Sequence, residues 1–132
     1  INLVACDVQR DGDALHLVSR DRAIRVTVPD ALRPRLLKHG ADHYTLGVRP
    51  MHLSVVANSG EAATNTCSGV VYVFERLGTK GVLSATVGAQ KMDILTPIEM
   101  NFAIDDVIRL AIDVDNIMIF DSKTEQNLLF TK

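Results

Sequence analysis

Short runs of alternating apolar and polar residues, cut every few positions by Gly, Pro, Asn or Asp, constrain this chain more than any other feature. At 23–28, Ile24, Val26 and Val28 fall on one side and Arg25 and Thr27 on the other. Residues 107–112 repeat the pattern, with Val107, Arg109 and Ala111 opposite Ile108, Leu110 and Ile112. A period of two is the signature of a strand with one buried face. The same reading gives strands at 2–8, 14–18, 44–48, 52–56, 68–76, 82–87, 92–95 and 117–120. Asp11-Gly12-Asp13 and Gly78-Thr79-Lys80-Gly81 carry hairpin-turn chemistry. The small polar stretch at 58–65 reads as a loop and 121–127 as a polar turn.

One segment breaks the alternation. Residues 31–39 read as a short helix with Leu32, Leu36 and Leu37 on one face, Asp30 as N-cap, Pro34 near the first turn and Gly40 as the stop. Many short strands with a single short helix predict an all-β fold, an OB-like Greek-key barrel or sandwich. The two halves, 1–52 and 53–132, are both β-rich. They can form two intertwined lobes that share strands within one domain spanning 1–132.

Composition narrows the function classes. With 47% hydrophobic residues the chain can build a packed core. A formal net charge of −2 and only 5% aromatic residues argue against a nucleic-acid partner, which calls for a basic excess and stacking platforms. Cys6 and Cys67 are too few and too far apart for a disulfide-stapled scaffold and are expected as buried thiols. No apolar run reaches the ~20 residues of a membrane-spanning helix. The N-terminus has no basic segment followed by an apolar stretch, so no signal peptide is expected. The chain begins at Ile1 rather than Met, which fits a piece of a longer polypeptide.

Catalytic motifs do not emerge. No GxxxxGK followed by Ser or Thr, no GxGxxG and no GxSxG occurs. His39 and His43 are four apart, but Gly40 interrupts the helix that would align them, so both read as solvated turn histidines. His16 and His52 read as surface or hydrogen-bonded structural residues. Asp105, Asp106, Asp113, Asp115 and Asp121 lack the glycine and glutamate of a calcium loop and read as carboxylates that solubilise turns. The expectation is therefore no catalytic, cofactor-binding or metal-binding residue in this chain.

The best-marked stretch is Leu46-Gly47-Val48-Arg49-Pro50-Met51-His52-Leu53. It resembles the GIRPEHL signature in the C-terminal regulatory region, the transport-associated OB (TOBE) domain, of ABC-transporter ATP-binding subunits of the maltose and glycerol-phosphate importer type. Further matches follow in order. Ile1-Asn2-Leu3-Val4 resembles MNFL; residues 71–78, with Glu75 and Gly78, resemble VxxxExLG; residues 107–112 resemble the GDxVxL strand; and residues 117–124, with Phe120 and Asp121, resemble HLFDxxTG. Met51 stands where the family has glutamate, Asp105 where glycine precedes aspartate, Met118 for a histidine and Glu125 for a glycine. The two glycine losses suggest slightly different turns.

Within that stretch, Pro50 lacks an amide hydrogen and ends one strand ladder while setting the direction of the next. Arg49 can fork onto a carboxylate, with Glu75 the candidate partner. The structural-motif residues are thus Gly47, Arg49, Pro50, Glu75, Gly78, Phe120 and Asp121.

The resemblance implies an accessory region that is not itself an enzyme, with ATP and Mg in an upstream nucleotide-binding domain. It implies a second copy of the subunit as homodimer partner, transporter membrane subunits reached through the parent protein, and a peripheral location on the cytoplasmic face of the membrane. A regulatory protein or small ligand is a further partner of such regions, and sugars or related solutes are the expected cargo. Apolar residues on the exposed face of 68–87 can supply the two-fold contact. The rival reading is a small-ligand or oxyanion-sensing module, with Thr79, Lys80 and Gly81 at one end of an anion site.

Overall fold

The alternating runs become antiparallel strands in the computed structural model, which describes residues 1–57 and 65–128. The expected loop at 58–65 lies outside the described residues except for Asn65. In chain order the strands are β1 (Asn2–Asp11), β2 (Ala14–Ser19), β3 (Arg25–Thr27), β4 (His43–Val48), β5 (Leu53–Val56), β6 (Thr66–Leu77), β7 (Lys80–Val87), β8 (Gln90–Pro97), β9 (Val107–Ile112) and β10 (Met118–Asp121), with helix α1 (Arg33–His39) between β3 and β4. Two five-stranded sheets result, in the orders β10-β4-β1-β2-β3 and β5-β9-β6-β7-β8. All pairings are antiparallel.

The expected lobes are intertwined. The first sheet takes β1 to β4 from the N-terminal part and then recruits β10, which pairs with β4. In the second sheet the edge strands β5 and β8 bring Cα atoms within 8 Å of each other without pairing, so the sheet curls toward a barrel. Burial follows the alternation. Ile24, Val26 and Val28 are buried, as are Ile108, Leu110 and Ile112, while Arg25 and Val107 point outward. Leu17, Leu46 and Ile119 of the first sheet share one core cluster with Leu83, Met92, Ile94 and Leu110 of the second.

Polar side chains complete the join between the sheets. The Asn2 Nδ2 donates to the Asp93 carbonyl at 2.9 Å while its Oδ1 accepts from the Asp93 N–H at 2.8 Å. Asp93 lies on β8, an edge strand, so the Asn2 amide satisfies backbone groups left over at that edge. Asp21, in the β2–β3 turn, accepts the Ala89 N–H of the β7–β8 turn at 2.7 Å. Asn65 Oδ1 accepts the Thr27 N–H at 2.8 Å, tying β3 to the start of β6.

Helix α1 is shorter than expected at its start. Leu32 takes the N-cap position without a side-chain bond, and Asp30 instead pairs with the Arg33 guanidinium at 2.7 Å. Pro34 sits in the first turn and Gly40 ends the helix at φ 74°. Leu32 and Leu36 are buried, but Leu37 is 46% exposed. With only seven residues the helix presents too narrow a face to bury all three leucines.

Both positions where the resembled family has glycine have a positive φ here. Asp105 has φ 73° and Glu125 φ 62°. Flanking bonds hold both: the Asp105 N–H donates to the Val71 carbonyl, and the Glu125 N–H to the Asp121 carbonyl, at 2.9 and 2.8 Å. L-residues thus occupy a left-handed conformation that favours glycine.

Candidate functional site

Gly47, Arg49 and Pro50 lie where the chain crosses between the sheets. Val48 ends β4 fully buried, Arg49 is extended, and Pro50 opens a 3-10 turn over Pro50–His52. The His52 N–H donates to the Arg49 carbonyl at 2.9 Å, and the His52 carbonyl accepts the Asp113 N–H at 3.0 Å. Leu53 then enters the second sheet, 2% exposed. Proline's fixed φ and missing donor suit the first position of this turn.

Gly47 and Phe120, from two separate motifs, meet across the β4–β10 pair. A Cβ at Gly47 would lie 2.8 Å from the Phe120 ring and 3.3 Å from Ile1 Cδ1, so the ring occupies the space a side chain would need. Gly78 serves elsewhere. It opens the two-residue β6–β7 turn at φ 62°, a conformation that a side chain disfavours.

The expected Arg49–Glu75 pair does not form. Glu75 is exposed on β6 opposite Val82, whereas Arg49 lies at the crossing beside a cleft of about 390 Å3 that Arg35, His52 and Asp115 also line. The β6–β7 register carries Glu75 toward the hairpin end, and among the described residues no ion pair joins the two side chains. In the same cleft, His52 Nδ1 is buried and has no hydrogen-bond partner among the described residues.

Asp121 is the hub of a second cluster. Its Oδ1 accepts the Lys123 and Thr124 N–H groups at 2.8 and 3.3 Å, and its Oδ2 lies 2.6 Å from His39 Nε2. The Lys123 amide first, with the Thr124 amide and His39, holds this carboxyl below its ordinary range. His39 Nδ1 reaches Tyr44 Oη at 3.1 Å, and Tyr44 Oη accepts the Ala41 N–H and donates to the Leu36 carbonyl. The network ties the turn after β10 to the end of α1 and to β4. His39 is therefore a structural partner rather than a solvated turn residue. His43 separately bonds Asp7 Oδ1 at 2.6 Å. Local sequence gave no sign of the His39–Asp121 contact, because the residues lie at opposite ends of the chain.

The expected anion end at Thr79, Lys80 and Gly81 lies at the β6–β7 hairpin. Lys80 faces Leu77 and Pro97, and Gly81 faces Arg76 and Thr96, so both belong to the three-strand ladder. A Cβ at Gly81 would meet Thr96 Oγ1 and, at 2.7 Å, the Phe74 ring, so the Cβ side of that residue is packed.

Burial leaves both thiols inert. It pushes Cys6 up to about 12 and Cys67 to about 11, and both are free. The outer face of β6 presents Val70 and Tyr72, at 38% and 54% exposure. Val107, the cross-strand partner of Val70, and Ile104 extend this apolar strip at 62% and 67%. Tyr72 faces outward in step with Ser68 and Val70, beside a bulge between Val71 and Val73, with Lys91 Nζ 3.7 Å from its ring centre.

No protein-family profile matches the chain. The fold is an OB-like one: the cytoplasmic molybdate-binding protein ModG superposes with a TM-score of 0.67 over 89% of this chain and 94% of that one, at 10% identity. An uncharacterized ABC transporter ATP-binding protein of Bacillus subtilis (strain 168), YurJ, is 24% identical over 106 residues, 79% of this chain. The match spans 29% of the length of that relative.

Proposed function

We propose that this chain is a non-catalytic regulatory and dimerisation region of the ATP-binding subunit of an ABC importer, of the maltose and glycerol-phosphate type. The observation that carries the reading is the extent of the match. Most of this chain corresponds to a minor part of an ABC transporter ATP-binding protein, as expected for an appended region. The ordered motifs support it, since Gly47, Pro50, Phe120 and Asp121 all serve the joining of sheets and turns. In this reading ATP and Mg belong to the parent's nucleotide-binding domain. The parent subunit pairs with a second copy, meets its membrane subunits at the cytoplasmic face, and serves import of sugars or related solutes.

The exposed strip of Val70, Tyr72, Ile104 and Val107 is the surface offered to the second copy. A two-fold contact would place the same strip on itself. Sedimentation of the purified chain tests this. Concentration-dependent dimers that Tyr72→Asp abolishes are expected, whereas a strict monomer at the highest soluble concentration overturns the self-association. ATP hydrolysis by the purified chain alone would overturn the non-catalytic assignment.

A further inference from the structure

We infer that the open end of the first sheet, where β10, β4 and β1 lie side by side, is a docking shelf for the polypeptide that precedes this chain in its parent subunit. The inference rests on the reading of the chain as an appended region. Strand register builds the shelf. One cross-strand row sets Met118, Gly47 and Leu3 side by side, and the next sets Phe120, Thr45 and Ala5. Residues two apart share a face, so both rows point away from the core that Val4, Leu46 and Ile119 fill. The row beyond is polar, where His43 bonds Asp7. The apolar part of this face is therefore bounded.

Ile1 and Leu3 are exposed, and with Phe120 they flank a depression of about 340 Å3. Gly47 shapes its floor. Because it has no Cβ, the Phe120 ring and Ile1 Cδ1 approach each other over that strand. A contiguous patch of large exposed apolar side chains marks an interface. The other apolar strip, with Val70, Tyr72 and Val107, lies on the second sheet, so a two-fold contact there leaves the shelf open.

Two observations select the occupant. The match to YurJ spans 29% of that relative, so a parent of that kind has most of its length outside this chain. Ile1 lines the depression and Asn2 opens β1, so polypeptide leading into β1 arrives at the edge of the shelf. Glu125 then sets the chemistry of the contact. It lines the same depression with its backbone in the left-handed region, and its exposed carboxylate has no partner among the described residues. Asp121, the other carboxylate there, is already held by the Lys123 and Thr124 N–H groups and by His39. A carboxylate placed at a conformational cost beside an apolar trough calls for a cationic partner. The docked surface therefore presents an apolar side chain to the depression and a Lys or Arg to Glu125.

Cysteine labelling tests the inference, because Cys6 and Cys67 are buried and a thiol introduced on the shelf reports alone. Leu3→Cys is compared in the 132-residue chain and in the subunit expressed from its own upstream start codon. Gln9→Cys, exposed on the same strand beyond the His43–Asp7 row, is the reference. Iodoacetamide should modify Leu3→Cys at least about tenfold more slowly in the subunit, as for a shelf open ~10% of the time or less, and Gln9→Cys equally in both. Glu125→Lys, at an exposed site, should speed labelling of Leu3→Cys about two- to fivefold in the subunit alone, the scale of a surface ion pair. Equal rates at Leu3→Cys in the two polypeptides, slowing shared by Gln9→Cys, or slowing that Glu125→Lys leaves unchanged overturns the docking. A subunit that carries a phosphate-binding loop but leaves Leu3→Cys unprotected defeats the docking alone. An upstream region without that loop defeats the transporter reading, while the labelling still decides the docking.

Discussion

Replacing Asn2 by alanine would remove both bonds that join β1 to the edge of β8. The two distances are 2.9 and 2.8 Å, and Asn2 is 7% exposed, so water reaches the abandoned Asp93 N–H and carbonyl poorly. At ~1 kcal/mol per bond, with a further contribution from incompletely resolvated backbone groups, the loss should be about 2–3 kcal/mol. For a domain of this size each kcal/mol shifts Tm by roughly 3–5 °C, so the variant should melt about 6–15 °C lower. Asn2→Asp should do no better at neutral pH, because it sets a carboxylate oxygen against the Asp93 carbonyl in place of a donor. Urea unfolding followed by circular dichroism, together with calorimetric melting, measures the effect. The urea slope should stay unchanged, since the same surface is exposed on unfolding. A Tm within about 2 °C of the parent would refute the clasp as a stabilising join.

Three further outcomes follow from other parts of the structure. Glu125→Gly should stabilise by about 0.5–1 kcal/mol, as relief of a left-handed residue outweighs the added freedom of the unfolded chain, and Glu125→Ala should not; melting compares the two. Asp21 is held down at about 2, first by the Ala89 N–H and then by Ser19 and Ala23, so its contribution is fully present above ~4 and lost as pH falls toward the folded value. Acid titration of stability should therefore slope less in Asp21→Asn between those limits. Iodoacetamide at pH 8 should leave Cys6 and Cys67 unlabelled in the folded chain and modify both in urea, read by mass spectrometry.

Alternation made most strands legible because burial of one sheet face leaves a mark every second residue. Residues 107–112 coincide with β9, and 14–18 differ from β2 by one terminal residue. Gly40 likewise announced the end of the helix through local backbone chemistry, while its start fell two residues later than the pattern suggests. What stayed hidden was set by distance along the chain. Asn2 meets Asp93 across 91 positions, and His39 meets Asp121 from the far end of the sequence. Complementary charge points Arg49 at Glu75, but strand register places Glu75 opposite Val82. Leu3, Gly47 and Phe120 belong to separate motifs; only the pairing of β1, β4 and β10 gathers them on one face. Asp105 and Glu125 concealed turns that glycine would have declared, since flanking hydrogen bonds impose the same backbone on them.

The central claim is that this β module belongs to a transporter ATPase whose catalytic machinery lies in another domain. Sequencing the genomic DNA upstream of the Ile1 codon tests it most directly. An open reading frame continuous with this chain, encoding GxxxxGK followed by Ser or Thr and then an LSGGQ-like segment, is the predicted result. An in-frame stop immediately before Ile1, or an upstream domain without a phosphate-binding loop, would contradict it.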